Sequence, residues 1–256
     1  MQLYILFEPR DITLPIHYHH AVQSMLYQAI ANKHYSAELH DKGLHHEARP
    51  FKFFSFSRLY GPHQITNGAI HFFDGIRLKV RSIDPKFMDH IRLGFAEGTA
   101  HTLFDTPLCV YSCDFSDQRI WTEQIDVRMS SPVTVYQTVL REKDKTGEKK
   151  KWTDYFAPWD PAFSCLLADN AERKWKAYSN TVLPGRLEVS PLDVDPVRDR
   201  VVAKYRKIEN GKENTTSITA WKGTYRLSGP PQLLDFLYHT GLGAKNSDGF
   251  GLFDVI

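Results

Sequence analysis

The chain is poor in cysteine, has no long apolar run and carries almost no net charge, and each shortage excludes a class of protein. Three cysteines, Cys109, Cys113 and Cys165, are spread over 256 residues. So odd and sparse a set does not build a secreted disulfide framework. Cys109 and Cys113 bracket an apolar, strand-like run and read as reduced strand residues. No apolar run has the length a bilayer requires. The opening Met1-Gln2-Leu3-Tyr4-Ile5-Leu6-Phe7 is short and lacks a basic start and a small-residue cleavage site, so it does not read as a signal peptide. The expectation is a soluble, cytoplasmic protein with no membrane partner. The 32 Lys and Arg almost balance the 30 Asp and Glu, for a formal charge of +2. A nucleic acid would therefore have to be held by local patches, without a global field.

Metal-binding spacing is missing too. His17, His19, His20, His34, His40, His45 and His46 crowd into thirty residues. Yet His17, His19 and His20 contain no i, i+4 pair, and no H-E-x-x-H or Cys–His spacing occurs. No metal and no other cofactor is expected, and most of these histidines read as exposed or close to RNA.

Apolar residues, by contrast, make up 42% of the chain, enough for a packed core. Aromatics reach 13%, and they can fill that core or stack on unpaired bases. Along the chain, Gln2 to Glu8 reads as a strand. Leu14-Pro15 reads as the opening of a helix, with Val22, Leu26, Ala29 and Ile30 on one face and Met25 beside them. Lys52 to Leu59, Ile65 to Phe73 and Gly75 to Ile83 read as strands. Asp84-Pro85 starts a helix that turns Phe87, Met88, Ile91 and Phe95 inward, and Leu108 to Phe115 follows as a strand. This is a βαββαβ order with an extra strand or hairpin.

The second half repeats the order. Val133 to Leu140 reads as a strand, Pro161 to Tyr178 as a helix, and Leu187 to Leu192, Arg200 to Lys207 and Ile218 to Leu227 as strands. Pro230-Pro231 begins a short helix, and Phe250 to Ile256 closes as a strand. The fold class expected is α+β, as two tandem ferredoxin-like (βαββαβ) domains. The boundary falls near Trp121 to Val127, giving domains 1–122 and 123–256.

Between the last helix and the last strand runs Gly241-Leu242-Gly243-Ala244-Lys245-Asn246-Ser247-Asp248-Gly249-Phe250-Gly251. Four glycines in eleven residues allow positive φ and exposed N–H groups, a concavity suited to phosphate. Lys245 adds charge, and Asn246 and Ser247 can bond the backbone or a ligand. Walker and dinucleotide-binding loops need a strand before and a helix after, the reverse of this order. A purely structural turn is the competing reading.

Helix, then G-x-G-x-K-N-S-x-G-F-G, then a strand resembles the C-terminal signature of CRISPR-associated repeat-processing endoribonucleases, within the wider group of repeat-associated RNA-binding proteins. Other stretches agree in order. Leu14-Pro15 followed by Met25-Leu26-Tyr27-Gln28-Ala29-Ile30 is similar to the family's first helix. Leu39-His40-Asp41-Lys42-Gly43 is similar to its catalytic loop, and Phe51 to Leu59 to the next strand. Ser131-Pro132-Val133 resembles the start of its second domain. The resemblance implies two ferredoxin-like domains, binding of CRISPR repeat RNA and a cut within each repeat. It leaves open a homodimer and contacts with other subunits of a CRISPR effector complex.

RNA carries its own nucleophile, the 2′-hydroxyl. A protein need only remove that proton, stabilise the crowded phosphate and protonate the leaving 5′-oxygen. Histidine suits the proton transfers, lysine the developing negative charge, and tyrosine can position or donate a proton. The family's catalytic positions fall on Tyr27, His40 and Lys52. The expectation is a metal-independent endoribonuclease leaving 5′-hydroxyl and 2′,3′-cyclic phosphate ends. His40 would act as general base or acid, Tyr27 as its partner and Lys52 as charge stabiliser. Gly241, Gly243, Lys245, Asn246, Ser247, Gly249 and Gly251 would bind RNA.

Each assignment has a competitor. Tyr27 could simply pack beside Leu26, His45 and His46 share the loop with His40, and Lys52 could be a solvated lysine. The mixed stretch Arg141 to Lys151 reads as a solvated hairpin tip, with RNA backbone contact as the alternative, and Arg173, Lys174 and Lys176 offer another such contact. A non-catalytic RNA-binding subunit of a CRISPR ribonucleoprotein would keep the fold and the loop but would not need Tyr27, His40 and Lys52. A metal-dependent nuclease would need clustered carboxylates, and no such motif is present.

Overall fold

A computed structural model describes the chain except residues 9, 42–43, 47–48, 144–147, 184 and 210–211; the side chains of 40–41, 44–46, 49–50, 143, 148, 205–209 and 212–214 also lie outside the described part. The first half contains β1 (Gln2–Phe7), β2 (Ile12–Pro15), α1 (His19–Ala29), α2 (Lys33–Asp41), β3 (Leu44–His46), β4 (Arg49–Phe51), β5 (Phe54–Phe56), β6 (His63–Thr66), β7 (Ala69–Phe72), β8 (Arg77–Ser82), α3 (Pro85–Gly94), β9 (Ala100–Leu103) and β10 (Thr106–Ser116). Its main sheet has the order β5-β8-β1-β10-β9, with antiparallel neighbours. Without the edge strand β9, this is the strand order of a ferredoxin-like βαββαβ unit, with α1 and α3 as its two helices.

The second half contains β11 (Gln124–Met129), β12 (Tyr136–Lys143), β13 (Glu148–Tyr155), α4 (Pro161–Ser179), β14 (Glu188–Asp193), β15 (Arg200–Glu209), β16 (Lys212–Trp221), β17 (Thr224–Ser228), α5 (Pro231–Thr240) and β18 (Phe253–Val255). Its sheet runs β14-β17-β11-β18, again antiparallel. The order matches that of the first sheet, so the fold is α+β with two ferredoxin-like domains in tandem. The hairpins β12–β13 and β15–β16 stand outside the sheet.

Local chemistry accounts for the helices that position the site. Asp84 caps α3 by accepting from the Lys86 N–H (2.9 Å), Pro85 occupies the first turn, and Phe87, Met88 and Ile91 face the core. On α1, Val22, Met25 and Leu26 are buried at helical spacing. Prolines also sit in the first turns of α4 and α5.

Four sequence expectations are corrected. Leu14-Pro15 closes the strand β2, and α1 begins only at His19. Ile12 and Leu14 are buried in alternation against β7, and Pro15, at the strand's end, loses nothing by lacking an N–H. The second domain's first strand is β11, not Val133 to Leu140. Val133 and Val135 are buried in the approach to β12, which pairs with β13. The run Ile218 to Leu227 breaks at Lys222-Gly223 into the end of β16 and β17, since Gly223 has φ of 101°. Phe250 to Leu252 belong to the glycine-rich loop, and β18 is the short strand after them.

The two domains are joined by charge. Arg81 on β8 is 1% exposed. It donates to the Gln2 side chain, to the Phe253 carbonyl and to Asp254 (2.7 Å), and lies 3.8 Å above the Tyr238 ring centre. Lys79 and Ser130 also hold Asp254. Burial pushes the Asp254 carboxyl up, but these hydrogen bonds and cations outweigh it and leave its pKa below the usual range.

Candidate active site

The glycine-rich loop leaves α5 and folds back between the two domains. Gly241, Gly243, Gly249 and Gly251 all have positive φ, as does Lys245 at 60°. At two of them the need for glycine is steric as well. A Cβ on Gly251 would lie 2.0 Å from the Leu242 carbonyl oxygen, and one on Gly249 would lie 2.7 Å from the Phe56 ring. The loop is thus built tightly against itself and against β5. Asn246 to Asp248 form one 3-10 turn whose first bond runs from the Asp248 N–H to the Lys245 carbonyl (3.0 Å). The N–H groups of Asn246 and Ser247 therefore have no acceptor inside the turn.

Helix α1 meets the loop from the other domain. Gln23 donates to the Ser247 carbonyl and to the Asp248 carboxylate, both at 2.8 Å. One helical turn later on the same face is Tyr27. Its ring packs edge-on to Phe54 (5.9 Å), and the Lys52 ammonium lies 5.3 Å from its ring centre. Burial, with a smaller contribution from Asp248, raises the Tyr27 pKa. At neutral pH it remains a phenol that can orient or donate a proton, and it is not available as a phenolate base.

Lys52 and the loop share a cleft of about 450 Å³. Among the described residues, Lys52, Arg173 and Lys245 put three half-buried cations on its wall against one carboxylate, Asp248, with Lys174 buried behind them. Such a surplus favours a polyanion. The Lys245 ammonium lies 3.9 Å from Asp248 and 5.7 Å from the Tyr136 ring centre, and all three residues line the cleft. Gly243 and Ser247 also line the cleft. Asn246 lines it too, but its amide group is engaged within the loop, donating to the carbonyls of Leu242 (3.1 Å) and Phe250 (3.0 Å).

The third expected catalytic residue, His40, lies in the last turn of α2 and not in a loop. Its side chain, those of His45 and His46, and residues Lys42 and Gly43 are outside the described part. Ser36 on α2 donates to the Tyr27 carbonyl (3.2 Å), which ties this helix to α1. The structure therefore brings Tyr27, Lys52 and the loop together, and puts the His40 backbone on the helix joined to Tyr27.

One expectation about ligand contact is corrected, and one histidine departs from the reading of the group. Lys174 is 2% exposed and sits inside the protein beneath the loop, so it is not a surface contact for an RNA backbone. Its place was legible: Phe163, Leu167, Ala171 and Lys174 follow one helical stripe, and the first three are buried. His19 is 3% exposed, stacked between Tyr18 (5.0 Å) and Phe250 (5.9 Å). Burial, and then the charges of Arg58, His17 and His20, lower its pKa to about 3, so it serves as a neutral aromatic spacer. Gln23 carried no motif; only its spacing of four from Tyr27 marks it. The arms β12 and β13 cover the ends of the Arg141 to Lys151 stretch, and its middle, residues 144–147, is outside the described part. Among the described residues, no group of three His, Cys, Asp or Glu side chains is placed to share a metal ion, and no helix is long and apolar enough to cross a membrane.

Residues 101–255, more than half of the chain, match the family model described as CRISPR associated protein Cas6, C-terminal. The chain belongs to the Cas6 family. Its similarity to "CRISPR-associated endoribonuclease Cas6 1" of Methanocaldococcus jannaschii is 27% identity over 240 residues, 93% of this chain and 86% of the relative. Solved Cas6 structures share the fold over the whole length. One described as "CRISPR associated protein Cas6" has a TM-score of 0.72 at 20% identity, covering 100% of this chain and 99% of that one. A Cas6-related protein from Pyrococcus furiosus has a TM-score of 0.77 at 17% identity, covering 100% and 98%. A structure described as "An RAMP protein binding different RNA substrates" reaches 0.77 at 17%, covering 100% and 99%.

Proposed function

We propose that this Cas6 protein is an endoribonuclease that binds CRISPR repeat RNA and cuts it without a metal ion. The observation that carries the proposal is the meeting of Lys52 with the glycine-rich loop at one cationic cleft between the domains, with the Tyr27 ring beside the Lys52 ammonium. Domain 1–122 supplies the proton-transfer groups and domain 123–256 the loop. A backbone phosphate lies against the loop, with Gly243, Lys245, Ser247 and the N–H groups of Asn246 and Ser247 on its side. Gly241, Gly249 and Gly251 shape the loop from within.

The 2′-hydroxyl loses its proton to a base and attacks the adjacent phosphorus. The bond to the 5′-oxygen breaks, and that oxygen takes up a proton. The products end in a 2′,3′-cyclic phosphate and a 5′-hydroxyl. His40 is one partner in these transfers. Tyr27, kept neutral by burial, orients the 2′-hydroxyl, and Lys52 offsets the charge that grows on the phosphorane.

The test is cleavage of a cognate repeat RNA in excess chelator with both product ends mapped. Cutting should persist, and should stop when only the nucleotide 5′ to the cut is 2′-deoxy. Cleavage of the deoxy substrate, or dependence on added divalent metal, overturns this mechanism. Tight binding with no cut under any condition favours a non-catalytic RNA-binding subunit.

A further inference from the structure

Among the described residues no carboxylate pairs with the Lys174 amine, and burial lowers its pKa to about 7. Burying an amine is unfavourable, and a hydrophobic side chain of similar volume would fill the same space without that penalty. What Lys174 gains is the loop. Its Nζ donates to the Gly241 carbonyl and to Oδ1 of Asn246 (3.0 Å). Through its Nδ2 atom Asn246 carries the connection to the carbonyls of Leu242 and Phe250. Both ends of the loop and its central turn are thus gathered around one amino group on α4.

We propose that Lys174 is a positioning residue: through Gly241 and Asn246 it holds the glycine-rich loop in the shape that keeps Lys245, Asn246 and Ser247 on the cleft wall. The consequence for cleavage rests on the RNA-cutting role proposed above; the effect on the loop does not. An amine that loses its proton keeps two N–H donors, so both bonds survive on either side of its pKa. Arginine cannot take its place without driving a planar guanidinium into a site filled by a single nitrogen.

The test uses the full chain with Lys174→Met, Lys174→Ala and Asn246→Leu. Backbone hydrogen exchange reads the loop directly. The Leu242 and Gly251 N–H groups, which donate to the carbonyls of Gly251 and Pro132, should exchange at least about tenfold faster in Lys174→Met while β1 and β11 keep their protection. Single-turnover cleavage at saturating repeat RNA should fall by about tenfold or more. In Lys174→Ala, added propylammonium should restore part of the rate and propanol should not, a response that general loosening of the fold would not give. If the Lys174 variants do not fold, Asn246→Leu must show the same loop-confined exchange. Loop exchange unchanged in the variants that fold overturns the proposal, as does wild-type cleavage by Lys174→Met. A wild-type protein that fails to cut repeat RNA, with loop exchange still dependent on Lys174, overturns the cleavage reading and leaves the positioning role standing.

Discussion

The ammonium of Lys52 lies 5.3 Å from the centre of the Tyr27 ring. The two residues come from different elements, Lys52 from the approach to β5 and Tyr27 from the second half of α1. A cation beside the π-face of a partly buried phenol favours one mutual orientation of the two groups, and Lys52 lines the same cleft as the loop. The Tyr27 ring rests on Phe54, as the packing reading expects, and it also lies next to Lys52; the proton-transfer role is the proposal that the variants below test.

His40→Ala should slow single-turnover cleavage by about two to four orders of magnitude with little change in RNA affinity. His45→Ala and His46→Ala should cost less. Tyr27→Phe and Lys52→Ala should fall between, because grouped catalytic residues do not lose activity additively. The wild-type rate should bend in the histidine pH range, and that bend should vanish in His40→Ala. A large defect in His46→Ala with a normal His40→Ala would transfer the acid–base role to His46.

Gly249→Val should destabilise the protein by roughly 1–3 kcal/mol, because the new Cβ meets the Phe56 ring in a positive-φ backbone. Lys245→Ala should leave the melting temperature alone. It should weaken RNA binding chiefly at low salt and lower the salt slope by about one. Calorimetry and salt-dependent binding separate the two effects. A Gly249→Val protein with wild-type stability would refute the steric role.

His19 makes acid stability testable. Its folded pKa of about 3 lies below the usual 6.5, so between those values the unfolded chain binds a proton that the folded chain refuses. The folded state should therefore lose stability as pH falls from 6.5 toward 3. His19→Phe keeps an aromatic ring between Tyr18 and Phe250 and removes that proton. Its stability should be flatter over this window, measured by urea unfolding at several pH values; equal slopes in the two proteins would contradict the buried, neutral state.

The Arg81–Asp254 link predicts a non-additive pair. Asp254→Ala strands the buried Arg81 guanidinium and should cost about 3–5 kcal/mol. Arg81→Met combined with Asp254→Ala should cost less than Asp254→Ala alone, because the buried guanidinium is gone, while Lys79, which is less buried, loses the carboxylate in both. Urea unfolding of the two variants beside the wild type checks the order. Equal losses in the single and double variants would mean that Arg81 is solvated when Asp254 is absent.

Much of this protein was legible in its sequence because local spacing reports local structure. Pro85, Pro161 and Pro231 mark helix starts, and the apolar stripes after them are the buried ones. The glycine pattern located the loop, and the alternation Ile125, Val127, Met129 was present for β11 although it lay in the expected boundary. Spacing could not say that Leu14-Pro15 ends a strand, since that depends on pairing with Ala69 and Ile70 on β7. Nor could it say which polar groups meet. Gln23 reaches a loop 224 residues away, Lys174 one 72 residues away, and Arg81 a carboxylate 173 residues away. Periodicity tells which face of an element is buried; only the packing of two domains decides what that face touches. That is why the sequence marked the glycine-rich loop, while the cleft beside it and the buried lysine beneath it had to come from the tertiary structure.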